Sequence, residues 1–391
     1  MLDQWKVELG RLPPLSGAAA ELHVAQSRRP GFIEIKGKEL VNFTSWDFLN
    51  LNFNREFKRS AQSVIEMAGL GAASPRLCAG TTVQHLSCER ALARFLGTEA
   101  ALLFSSKNQA VFSLVTTLAC EKDAVFYDEL THSPVADAAY LVNAEALPYS
   151  AADPLTLDSQ LEKAKFAKKK LVFVESVSPY FGRKAELKVI AGLCAKHSAV
   201  MMVDESFALG AVGLRGAGAC EGLEGAEVTC KYADLSLGLS AFGAVVAAPQ
   251  RLIDYLVNHS RTVANEVALP AAVAGAIQAA LEIVELQPLA REKLQCCAGR
   301  LVLGLHQLKH YGGVSSDTPI VSLPLGKLSQ ASELAGALFE RSFWVEVVVQ
   351  RKLCSEGAAV RFIMNTAHDE NRIDELLQAI SDVLPRLKDI G

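Results

Sequence analysis

Residues 200–218 read VMMVDESFALGAVGLRGAG, and residues 234–246 read DLSLGLSAFGAVV. Val200–Asp204 is short, apolar throughout and closed by an acid. That is the pattern of a parallel strand covered on both faces. Gly210, Gly213, Gly216 and Gly218 punctuate the loop that follows. The run from Asp234 reads as a further strand, with a small-residue turn at Ser240–Ala244. In an open α/β sheet, ligands gather at strand C-termini and in the loops after them. The stretch therefore predicts an α/β sheet with a binding edge at Asp204.

Working outward, the same texture recurs. Ala100–Ser105, Ala124–Asp128 and Leu171–Ser176 read as buried strands. Each alternates with a helical segment, at Asn108–Cys120, Ser133–Val142 and Leu187–His197. Alternation of this kind predicts an α/β domain with a mostly parallel sheet. Upstream, residues 2–10 read as a helix, and 32–35 with 40–44 as a β-hairpin. Helices are expected at about 55–68 and at 85–96. Downstream, residues 270–310 are strongly helical. Strands at Ile320–Leu323, Val345–Val349 and Val360–Met364, with helices near 329–341 and 370–388, make a small α/β unit. The expected organisation is an N-terminal segment over 1–50, a large domain over 51–285 and a small C-terminal α/β domain over 286–391.

The chain has 391 residues, half of them apolar, and a net charge of −4. That length predicts a large domain plus a smaller one. The charge gives no reason to expect nucleic acid or an anionic membrane as partner. No apolar run has the length of a transmembrane helix, and the acid-bearing N-terminus does not read as a secretory signal. Nine scattered cysteines without a CxxC pair predict reduced thiols and a cytoplasmic protein. The cysteines lack metal-ligand spacing and the histidines form no HExxH motif, so no metal site is expected.

Four features could carry chemistry. Asp204 needs a cationic or proton-donating partner. A protonated ring nitrogen would serve, and so would a helix N-cap or a structural ion pair. His132 follows the strand ending at Asp128 and could stack on a planar ring or lie on the surface. Arg361 on an apolar strand implies a carboxylate, from substrate or from the protein, with the protein side chain favoured. Ser105 and Ser106 precede a helix whose N–H groups could hold a phosphate. The ordinary serine N-cap is the commoner arrangement.

The order of these features resembles the α-oxoamine synthase family. SWDFLNL (45–51) stands where that family has an SNDYLGL-like turn. Gly71, Arg76, Gly80, Thr81, His85 and Glu89 match its most specific segment, and DELTHSP, VDESFALGAVGLRGAG and VRFIMNTAH match three further motifs. The resemblance implies fold type I, the aspartate-aminotransferase-like fold, and pyridoxal phosphate as cofactor. It implies condensation of an amino acid with an acyl-CoA or acyl-carrier substrate. By the same resemblance, His132 would stack on the cofactor ring and Asp204 would pair with its nitrogen. Ser105, Ser106, Phe207, Asp234 and Ser236 would line the cofactor, while Arg76 and Arg361 would bind substrate.

The departures cluster at the cofactor. Aligned on the turn at Gly243, Leu237 stands at the family's Schiff-base lysine and Asp234 at a phosphate-binding threonine. Ser236 keeps the motif serine. Phe207 replaces a histidine, the glycine and aromatic of the loop before the phosphate-facing helix are gone, and Glu266 and Val267 stand where hydroxyls are expected. Lys231 lies six residues before Leu237, on what reads as the same strand. Three functions follow. The first is a non-catalytic homologue, as a homodimer or as the partner of a lysine-bearing paralogue. The second is an active acyl-CoA:amino-acid acyltransferase, and the third, ranked last, a cofactor-free enzyme of the same fold.

Overall fold

The computed structural model describes residues 22–387, apart from 132–133, 224–227, 309–315 and 350–356. The helix expected at residues 2–10 lies outside them. The described chain opens with three antiparallel strands, β1 (Ala25–Arg29), β2 (Phe32–Ile35) and β3 (Lys38–Asn42). Helix α1 (Arg55–Ala68) follows, capped by Asn54, whose side chain accepts from the N–H groups of Glu56 and Phe57. Helix α2 (Val83–Leu96) opens on a reciprocal Thr82–His85 capping box.

The large sheet then builds as β4 (Ala100–Phe104), α3 (Lys107–Leu118), β5 (Ala124–Asp128), α4 (Val135–Leu141), β6 (Glu145–Tyr149), α5 (Pro154–Lys163), β7 (Lys170–Glu175), α6 (Leu187–Lys196), β8 (Val200–Asp204), β9 (Cys230–Asp234) and β10 (Ala244–Ala248). Its order is β4-β10-β9-β8-β7-β5-β6. The five strands from β9 to β6 are parallel, and β10 runs antiparallel to both neighbours. Apolar side chains fill both faces, which is why these strands carry so few polar residues.

The remainder is helical and then mixed. It comprises α7 (Gln250–His259), α8 (Arg261–Asn265), α9 (Ala271–Glu285), α10 (Pro288–Gln307), β11 (Ile320–Gly326), α11 (Leu328–Glu340), β12 (Phe343–Trp344), β13 (Glu346–Val349), β14 (Ala358–Ile363) and α12 (Glu370–Leu387). A three-stranded sheet in the order β11-β14-β13 forms the C-terminal unit. Parallel pairing of β12 with β3 ties the N-terminal strands to this unit. Among the described residues no single helix is long and apolar enough to cross a membrane. Helices α9 and α10 meet that measure only together, bent by 76°, and α9 is largely buried in the core.

Two expectations need correction. Residues 143–165, unassigned from the sequence, form β6 and α5. Proline at the first turn and Asp153, whose side chain accepts from the Leu155 N–H, start the helix. The strand expected to begin at Asp234 instead ends there. Residues 235–243 are a compact turn in which Ser240 N–H donates to the Leu237 carbonyl and Ala241 N–H to that of Leu235. Ser240 takes φ 52°. Gly238 lies so close to the Leu209 carbonyl that any Cβ there would collide with it, and Gly210 faces Gly238 in turn. The turn is thus pressed onto the loop after β8, and the apolar residues 235, 237 and 239 belong to this contact rather than to a strand.

Candidate active site

Asp204 closes β8 at the carboxyl edge of the parallel strands, with β7 and β9 on either side. It is buried. Its Oδ1 accepts from the Ser206 N–H at 2.9 Å and from the Ser206 hydroxyl. Its Oδ2 lies 3.2 Å from the Nζ of Lys107, the first residue of α3. The same ammonium stands 5.2 Å from the centroid of the Phe207 ring, and Phe207 packs against Trp46 at 5.0 Å between ring centroids. Burial by itself would lower the Lys107 pKa. The charges of Asp204, Glu175 and Asp234 outweigh it and leave that pKa raised.

Glu175 closes β7 directly across the register from Asp204. Burial, reinforced by the Asp204 charge, pushes its carboxyl up to about 8. It accepts from the Thr131 hydroxyl at 2.9 Å. Among the described residues, the Lys107 ammonium thus stands beside several acids. The sequence gives little hint of this, because Lys107 and Asp204 are 97 residues apart. One signal was present. A cation in the first turn of a helix opposes the helix dipole and calls for a nearby anion.

The other expected site residues fall as follows. Ser106 is the N-cap of α3, and its hydroxyl accepts from the Gln109 N–H at 3.3 Å. Ser105 donates to the Val267 carbonyl at 3.3 Å. Only Ser106 caps the helix. Asp234 turns its Oδ1 to the Ser236 N–H at 2.8 Å and to the Ser236 hydroxyl at 2.5 Å. Leu237 lies in the turn and packs against the main core. Lys231 lies within β9, not on a strand with Leu237, and its Nζ donates to the Leu96 carbonyl at 2.7 Å. His132 lies outside the described residues.

The two arginines carry protein contacts. Arg76 makes a two-pronged pair with Glu89, at 2.7 and 3.0 Å, and its Nε donates to the Thr81 hydroxyl. Glu89 and Thr81 thus take all three of its nitrogens. Glu89 also accepts from the Leu103 N–H, which locks this segment to β4. Arg361 sits on β14 opposite Glu346 on β13. One of its amines lies 2.7 Å from a Glu346 oxygen and another donates to the Pro179 carbonyl at 2.7 Å. Its guanidinium carbon lies 4.8 Å from the centroid of the Trp46 ring, and its buried Nε has no hydrogen-bond partner among the described residues. The carboxylate that Arg361 meets within the chain is that of Glu346.

Comparison with known proteins identifies the family. The model of aminotransferase class I and II matches residues 38–380. The 8-amino-7-oxononanoate synthase of Anaeromyxobacter dehalogenans is 34% identical over 92% of this chain and 90% of its own. That of Methylococcus capsulatus is 33% identical over 93% and 94%. In fold, the chain matches a serine palmitoyltransferase of S. paucimobilis solved with a bound PLP–myriocin aldimine. The TM-score is 0.89 at 23% identity, covering 98% and 96% of the two chains. An 8-amino-7-oxononanoate synthase from Francisella tularensis matches with a TM-score of 0.77, also at 23% identity, over 89% and 98%. The fold is that of fold type I pyridoxal-phosphate-dependent enzymes. This chain belongs to the aminotransferase class I and II family, in its α-oxoamine synthase branch.

Proposed function

We propose that this chain is a non-catalytic α-oxoamine synthase homologue, acting as a structural or regulatory subunit beside a copy of itself or a lysine-bearing relative. The observation that carries the reading is Leu237. The family's chemistry needs an amine at this turn, both as covalent tether and as acid/base. Loss of a positioned acid/base alone costs about 10²–10⁴ in rate. Here the turn presents an alkyl side chain packed on the core. The two candidate amines are committed elsewhere, Lys231 to Leu96 and Lys107 to Asp204.

The cradle does not fit pyridoxal phosphate. Both Asp204 oxygens already have partners within the chain. Asp234 puts a carboxylate where the resemblance places the phosphate, and two anions in a partly buried pocket repel. Phe207 and Trp46 pack ring against ring beside Lys107.

A second reading has the relatives in its favour. Proteins about a third identical over nine-tenths of the chain carry the name 8-amino-7-oxononanoate synthase. On that reading the chain is a pyridoxal-phosphate-dependent acyltransferase joining an amino acid to an acyl-CoA. A turnover assay separates the two. The full chain is incubated with pyridoxal phosphate, a panel of amino acids and acyl-CoAs of several lengths, and free CoA thiol is followed. We expect release at the blank rate. Release that depends on enzyme and amino acid would establish the acyltransferase instead.

A further inference from the structure

The carboxyl edge of the sheet is crowded with acid. Glu175, Asp204 and Asp234 end three adjacent strands, β7, β8 and β9. An uncompensated carboxylate in such a place is costly, so a family member built this way needs a cation from somewhere. In this chain the cation comes from α3. The Lys107 side chain is 11% exposed, its partner Asp204 fully buried, and the two are 3.2 Å apart. Its charge also lies near the face of the Phe207 ring, at 5.2 Å, an arrangement that favours a cation. A charge delivered by a bound aromatic ring would have to meet the same oxygen beside the same side chain.

We infer that Lys107 is a built-in counter-cation, which takes at Asp204 the place a cofactor's ring nitrogen would take and keeps the site folded and charge-balanced without one. The inference rests on the non-catalytic reading above. It adds that the site is closed from within rather than merely deprived of its lysine. The backbone supports this geometry. Lys107 begins α3 immediately after its Ser106 cap, which fixes where its side chain starts, and the Ser206 N–H and hydroxyl hold the Asp204 carboxylate from the opposite oxygen. Lys107 is a positioning residue, acting on Asp204 and on the acids around it.

The test is a double-mutant cycle on the full chain, read by urea unfolding of wild type, Lys107→Met, Asp204→Asn and the double variant. Each single change leaves a buried charge without its partner. We expect each to lower the folding equilibrium constant by about 100-fold or more. The double variant should recover most of that loss, because both charges are gone. Effects that simply add would overturn the inference. Should a single variant not fold, a measurement on wild type decides the matter. Under reductive methylation followed by peptide mass spectrometry, Lys107 should be labelled about 100-fold more slowly than the exposed Lys58 and Lys188. Labelling at their rate would equally overturn it. Neither readout depends on turnover, so an active enzyme in the CoA assay would sink the non-catalytic reading while leaving the 107–204 coupling to stand or fall separately.

Discussion

The two ends of the site satisfy a buried charge in opposite ways. At one end Asp204 meets Lys107 at 3.2 Å, with the ammonium 11% exposed and the carboxylate not at all. At the other Arg361 meets Glu346 at 2.7 Å, with the guanidinium 6% exposed and the carboxylate 42%. Judged by distance alone the second pair is the tighter. Judged by solvent it is the weaker, because water screens Glu346 and offers either partner an alternative. The Arg361 end also has slack, since its buried Nε lacks a hydrogen-bond partner among the described residues. At the Asp204 end, Ser206 holds the carboxylate and neighbouring acids favour the Lys107 ammonium. The difference teaches that one end is fixed as part of the core, whereas the other holds its carboxylate at the surface, where it can be exchanged.

The largest expected effects test the fixed end. Lys107→Met should destabilise the protein by about 3–5 kcal/mol in chemical denaturation, since it leaves Asp204 buried and unpaired. Away from both ends, Arg76→Met should cost a similar amount, because Glu89 would lose a buried two-pronged partner. At the other end, Glu346→Gln should cost about 1 kcal/mol, discounted for the exposure of Glu346. A cost there equal to that of Lys107→Met would erase the contrast between the two ends.

A pH series sharpens the contrast further. The Glu175 carboxyl is pushed up to about 8, first by burial and then by Asp204. The folded state thus holds this proton more tightly than the unfolded chain does, whose glutamate titrates near its usual value of about 4.3. The resulting stabilisation is complete below that lower value and is lost as pH rises through about 8. Glu175→Gln should flatten the stability profile between about pH 5 and 8, whereas Glu346→Gln should leave this slope in place. The smallest effect is expected at Ser236→Ala. It removes one hydroxyl bond to the partly exposed Asp234 and should cost less than about 1 kcal/mol.

Much of this fold was legible because its strands are apolar on both faces and end on recognisable turns. Val200–Asp204 was placed to the residue, and Leu171–Ser176 within one residue at each end, for that reason. The edge strand Glu145–Tyr149 was not, since an edge is half exposed and Pro148 interrupts its pattern. The apolar spacing of Leu235, Leu237 and Leu239 imitated a strand. Only the tertiary contact of Gly238 with Leu209 reveals it as a packed turn.

At the site, Asp204 and Arg361 stood out as lone charges on apolar strands, but their partners did not. Glu346 was within reach of inference, because the antiparallel register of β13 and β14 sets it opposite Arg361. Lys107 reads as an ordinary solvated lysine until the fold brings α3 beneath the end of β8. Leu237 could be read from one motif, whereas the contact of Lys107 with Asp204 emerges from the fold.

The central claim is that the cradle persists while its charges are met from within the chain. Equilibrium dialysis of wild-type protein against pyridoxal phosphate, with the bound fraction followed by absorbance, tests it most directly. The account predicts no saturable binding. Saturable binding with one cofactor per chain, while Lys107 is intact, would contradict it.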